Sequence, residues 1–227
     1  MADIKTVKVE MYDKDLRGCV NINHNKYFVK GTIADELVEI ELVSKGKIKL
    51  AVLRKVIKPS KYRIKPVCPI YQQCGSCSLL HIEYSEQLRI KQQYVQNLFK
   101  DKLGINKGVL LTVGMENPSH YRNKNQVVFK NVNSKEKIIS GFYQEGTHNV
   151  VNFNECYIQD EISDKIVKTI KQLMIEMRIS AYDEDKKTGL IRHVLIKRSN
   201  QTKEVMVVFI IDNNCLNVNS QFVTMIK

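Results

Sequence analysis

Six cysteines carry the densest chemistry in the chain: Cys19, Cys68, Cys74, Cys77, Cys156 and Cys215. Cys68, Cys74 and Cys77 form a C-x5-C-x2-C run, with Gly75 and Ser76 inside the knuckle and Pro69 after the first thiol. This spacing lets three thiolates converge on one centre. A closed all-cysteine site needs a fourth. Cys156 is the candidate, because it lies in a polar turn that enters a helix. Cys19 and Cys215 read better as small buried apolar residues. Zinc sites usually pair two knuckles, whereas one knuckle plus two single cysteines suits a [4Fe–4S] cluster at least as well. Free thiols are the plain third reading. The cytosolic look of the chain argues against a disulfide framework.

The second chemical signal is positive charge. Thirty-six Lys and Arg against 24 Asp and Glu give a net charge of +12. The excess concentrates between Ser44 and Val67, which contain no acid. Lys45, Lys47, Lys49, Arg54, Lys55, Lys58, Lys61, Arg63 and Lys65 all fall there. Such a block repels itself and calls for a polyanion. RNA phosphates would neutralise it and release counterions. The bland alternative is a solvated basic strand and linker. Arg122, Lys124 and Arg192 are further RNA-contact candidates, with a surface salt bridge as the competing role. Tyr121, Phe142 and Tyr143 could stack on bases, although core packing is the commoner fate of such rings. No catalytic residue is assigned.

These residues need a scaffold. Residues 5–55 alternate with period 2 between frequent turn signals, which predicts a small OB-like β-barrel over 1–61. A helix is predicted over 84–102, N-capped at Ser85 and ended by Gly104. Strand patterning follows at 108–113, 126–130, 138–143 and 149–153. A second helix is predicted over 160–178, with a stripe of Ile162, Ile166, Ile170, Leu173 and Met177. Two strands, 193–198 and 204–211, close as a hairpin. The fold class is mixed α+β: a barrel, then an α+β domain with an antiparallel sheet and a four-cysteine site. No apolar run approaches the ~20 residues of a membrane span, and no signal peptide is visible. A cytoplasmic monomer with no membrane partner is expected.

The segment Cys68-Pro69-Ile70-Tyr71-Gln72-Gln73-Cys74-Gly75-Ser76-Cys77-Ser78-Leu79-Leu80-His81 closely resembles the cluster motif of the RumA-type RNA uracil-C5 methyltransferases, C-P-x4-C-G-G-C. Tyr84, Gln87, Leu88 and Lys91 follow at that family's spacing. Tyr121-Arg122-Asn123-Lys124, Gly141-Phe142-Tyr143, Thr147 to Val151 with Cys156, and Gly189 to His193 resemble later family segments in the same order. The resemblance implies a TRAM-type RNA-binding barrel at 1–61 and a central iron–sulfur domain at 62–83 and 112–216. It implies a [4Fe–4S] cluster on Cys68, Cys74, Cys77 and Cys156. RNA is the implied partner, 23S rRNA before tRNA. Helix and strand 84–111 would pack on a methyltransferase domain, and 217–227 would begin the next region. No Gly-rich S-adenosylmethionine loop, nucleophilic cysteine or general base is visible, so the chain reads as the N-terminal part of such an enzyme. S-adenosylmethionine is expected only in the full-length protein. A free-standing RNA-binding metal module is the competing reading.

Overall fold

The computed structural model describes residues 3–45, 48–132 and 134–212, with backbone alone at 44, 45, 48, 49 and 134–136. The chain divides into two compact units. The first comprises 1–67 and 77–116, and the second comprises 68–76 and 117–227. Helix 84–103 therefore belongs with the N-terminal strands, and the cysteine loop is an excursion into the second unit. That division differs from the boundaries expected from sequence.

The first unit contains β1 (Asp3–Lys8), β2 (Met11–Tyr12), β3 (Gly18–Ile22), β4 (Asn25–Val29), β5 (Leu37–Lys45), β6 (Ile48–Lys58) and α1 (Tyr84–Leu103). They form two three-stranded antiparallel sheets, ordered β1-β5-β6 and β2-β3-β4. Alternation explains the arrangement. Val38 and Ile40 of β5 point inward and join Val9, Val20 and Val29 in a shared core. β6 runs to Lys58, past the end of the alternating stretch at 55, and carries the basic stretch into the sheet. Helix α1 packs through Ile90 on Ile33, Leu79 and Ile82. Its N-cap is Glu83, not Ser85, and Gly104 closes it in a left-handed conformation. The expected strand at 108–113 is absent. Gln92 and Gln96 donate to the carbonyls of Val109 and Lys107, strapping an extended segment along α1. With the α1 glutamines taking these backbone groups, no strand pairing forms. Leu110, Leu111 and Val113 remain exposed.

The exit from β6 is fixed by a buried charge. Glu36 has no exposed surface. Its carboxylate accepts from Arg63 Nε at 2.5 Å and NH2 at 2.6 Å, and from the backbone N–H groups of Ile33 and Ser60. Burial alone would raise its pKa, but the Arg63 guanidinium and the two N–H donors hold it below the usual carboxylate range. Arg63 also donates to the carbonyl of Gly31.

The second unit contains β7 (Lys124–Val132), β8 (Ser134–Tyr143), β9 (Val150–Asn152), α2 (Glu161–Glu176), β10 (Ile191–Arg198) and β11 (Val205–Ile211). The five strands form one antiparallel sheet in the order β11-β10-β7-β8-β9. Phe129, Val194 and Ile196 meet Val167, Ile170, Leu173 and Met174 of α2 in its core. The buried stripe of α2 is thus rotated from the expected one: Val167 and Met174 are inside, and Ile162 is not among the buried core residues. Among the described residues no helix is long and apolar enough to cross a membrane.

Two outcomes follow. Arg63→Ala strands the Glu36 charge and should cost about 3–5 kcal/mol in denaturant unfolding, whereas Glu36→Gln with Arg63→Met should recover part of that loss. Equal costs for single and double variants would contradict the pairing. His81 is buried, and burial with the nearby Arg63 charge pulls its pKa down from 6.5 to about 4, against the opposing pull of the Thr32 backbone and Glu36. A histidine depressed in the fold binds protons better when unfolded, so its contribution is full above pH 6.5 and declines as pH falls toward 4. The thermal midpoint should drop more steeply over that window in wild type than in His81→Gln. Parallel curves would refute the assignment.

Candidate nucleic-acid interface

The basic stretch resolves into two kinds of residue. Lys55, Lys58, Lys61 and Lys65 are exposed and make no ion pair among the described residues. Lys61 lies over the Tyr62 ring at 4.8 Å. Arg54 and Arg63 are committed elsewhere: Arg54 grips Glu41 on the neighbouring strand, and Arg63 serves Glu36. Period-2 alternation sends Arg54 to the same outer face as Glu41, which sequence alone did not reveal. Lys47 lies outside the described residues, and only the backbone of Lys45 and Lys49 is described.

In the second unit, Arg122 joins two parts of the cysteine pattern. Its backbone N–H donates to Ile158 O at 2.8 Å, two residues after Cys156. Its guanidinium lies 3.5 Å from the carbonyl of Ser76 in the cysteine loop. Lys124 opens β7 and is exposed. Arg192 pairs with Glu184 at 2.8 Å and stacks over Tyr182, so the salt-bridge role holds for its side chain.

The turn that carries Cys156 is anchored by carboxylates that sequence reading passed over. The Cys156 N–H donates to Asp164 Oδ2 at 3.1 Å, and Gln159 Nε2 donates to Oδ1 at 2.7 Å. Burial raises the Asp164 pKa to about 6. Asp160 caps α2 by accepting from the Ile162 N–H, and it pairs with Arg198 at 2.6 Å. Burial likewise pushes the Cys156 thiol above its ordinary value, against the N–H groups of Ile158 and Gln159.

Cys68, Cys74, Cys77 and Cys156 are partly buried, and none is in a disulfide among the described residues. Cys68, Cys74 and Cys156 belong to the second unit, and Cys77 opens the second stretch of the first. Four thiols are the right donor type for an iron–sulfur centre. Among the described residues, however, no group of three or more His, Cys, Asp or Glu converges to hold a metal ion. Cys19 is buried as expected, and Cys215 lies outside the described residues. Gly75 lies at a close approach to the β8–β9 connection and not in a left-handed turn. A Cβ there would sit 3.0 Å from the Glu145 Cβ and 3.2 Å from its backbone nitrogen.

That contact closes one wall of an open cleft of about 720 Å3 in the second unit, between the cysteine loop and the β8–β9 connection. Phe142 and Val128 give it an apolar lining, and Tyr143, His148 and His193 add rings. Phe142 also packs on Phe153 with ring centres 5.1 Å apart. Tyr121 remains largely exposed.

No family model matches the sequence. An uncharacterized RNA methyltransferase of Clostridium tetani is 37% identical over 194 residues, which is 85% of this chain and 42% of that protein. Another, of Staphylococcus epidermidis, is 33% identical over 227 residues, 99% of this chain and 50% of that protein. The similarity is to RNA methyltransferases. The chain spans about half the length of these relatives. Among solved structures, the tRNA (uracil-54, C5)-methyltransferase of Pyrococcus abyssi, crystallised with S-adenosyl-L-homocysteine, matches with a TM-score of 0.69. Identity there is 22%, over 96% of this chain and 48% of that one. At that identity the likeness is one of fold.

The two kinds of basic residue should separate in binding. Lys55→Glu with Lys58→Glu should weaken RNA binding and flatten its salt dependence by about 0.7 in log–log slope per lost single-strand phosphate contact. Arg192→Ala should leave the slope unchanged. Fluorescence anisotropy at several salt concentrations reads both, and an unchanged slope in the lysine variant would contradict the interface.

Proposed function

We propose that this chain is the RNA-recognition portion of an S-adenosylmethionine-dependent RNA uracil-C5 methyltransferase that forms 5-methyluridine in 23S rRNA. The carrying observation is the similarity to RNA methyltransferases along up to 99% of the chain. The fold likeness to a uracil-C5 methyltransferase and the unpaired lysines leaving β6 support it. In this reading the first unit is a TRAM-type module that grips phosphates. The second unit presents the RNA, and the methyl donor and uracil chemistry belong to the part of the relatives that this chain does not span. Cys68, Cys74, Cys77 and Cys156 are the proposed ligands of a [4Fe–4S] cluster, which would stiffen the cysteine loop where Arg122 meets it. No step of the uracil chemistry needs an electron from it. The protein acts as a cytoplasmic monomer.

Transcripts of 23S rRNA domains should bind at least tenfold tighter than tRNA at physiological salt. Tighter tRNA binding would overturn the ribosomal target, and no binding of either would overturn RNA recognition. Anaerobically purified chain should be brown and carry about four irons and four sulfides, with the colour lost in Cys156→Ala. One tightly held zinc and a colourless protein would sink the cluster and favour a zinc-stapled RNA-binding module.

A further inference from the structure

The cleft of the second unit has a chemistry that the phosphate-gripping lysines do not explain. Tyr143 stands among its rings, 5.6 Å from His148 and 6.5 Å, edge-on, from His193. The Nδ1 of His193 is buried and has no hydrogen-bond partner among the described residues. A buried polar atom left unpaired is costly, and a native structure usually supplies its partner. Burial also lowers the His193 pKa, so the ring is neutral near pH 7 and one of its nitrogens can accept. The carboxamides of Gln126 and Gln144 border the same space, each with a donor and an acceptor. Among the described residues no lysine or arginine lines it. The site is thus aromatic and edged by hydrogen-bonding carboxamides and imidazoles, with the Glu145 carboxylate also on its lining, and that lining offers no cation for a phosphate.

We propose that this cleft holds an unstacked nucleobase of the bound RNA, with its face against Tyr143 and its edge meeting His193 and the two glutamines. The assignment rests on the RNA-recognition reading above and adds a base-reading site to it. Single-stranded RNA is recognised by splaying bases onto aromatic side chains and reading their edges. The phosphates stay outside, where exposed Lys124 of the same unit is available to them. The cysteine loop supplies Gly75 and Ser76 as one wall. A change in that loop should therefore alter base binding as well as any metal site. The Asp185 carboxylate, 3.4 Å from His148 Nδ1, orients that ring at the mouth.

The test follows the imidazole resonances of His148 and His193 by NMR in the whole chain. The probes are a short oligouridine and an abasic oligonucleotide of the same length. Both rings should shift with oligouridine and stay in place with the abasic strand. Tyr143→Ala should abolish the shifts and weaken oligouridine binding by about tenfold or more, while Tyr143→Phe keeps both. Oligouridine that binds by anisotropy without moving either ring overturns the cleft assignment and leaves RNA recognition standing. If oligouridine does not bind at all, RNA recognition falls, and free uridine then decides the cleft. Shifts of the same two rings uphold a base site, and unmoved rings overturn it.

Discussion

Glu36 carries a charge and has no contact with solvent, and much of the first unit is arranged to satisfy it. Four donors converge on its carboxylate: two from the Arg63 guanidinium and two from the backbone at Ile33 and Ser60. A buried carboxylate tolerates no slack, because losing one donor leaves the desolvation cost uncovered. The turn at 31–36 and the exit at 60–63 are therefore held in one geometry. Backbone bonds from Ile64 to His81 and from Glu83 to Tyr62 extend that order to the start of α1. The outcome matters for function. The fixed exit holds the backbone that carries Lys61 and Lys65 in one geometry, so less backbone ordering remains to be supplied at binding.

The second unit repeats the logic at lower charge. Asp164 holds the Cys156 turn, Asp160 ties α2 to Arg198 of β10, and Arg122 reaches the cysteine loop. The sheet contributes a close approach of its own. A Cβ on Gly141 would fall 1.8 Å from the carbonyl of Val151, so β8 and β9 meet where no side chain fits. That approach sets the start of the 144–149 connection, and Glu145 within it packs on Gly75. Sheet, connection and cysteine loop together shape the cleft.

Period-2 and 3.6-residue patterns made most of the fold legible. β5, β7, β8, β10 and α1 form where alternation and helical stripes place them, and α2 forms in place with its buried stripe rotated. The strand at 108–113 did not form, because local apolar content carries no information about whether a partner strand exists. β3 was hidden because Gly18, Cys19 and Val20 are buried together and do not alternate. Charge was legible as a total and not residue by residue. Nothing in the sequence distinguishes Arg63, drawn inward by a carboxylate 27 positions away, from exposed Lys65. The cleft was harder still. Tyr143, His148 and His193 come from separate segments, and each alone reads as a core or surface ring.

The account places RNA on the lysines of β6 and its exit and in the second unit's cleft. Photocross-linking of uridine-containing 23S transcripts to the intact chain, with peptides identified by mass spectrometry, tests this most directly. The predicted adducts fall at 55–65 and at the cleft rings, Tyr143 foremost. Adducts confined to the exposed edge strand β11, or to the outer face of α1, would contradict the account.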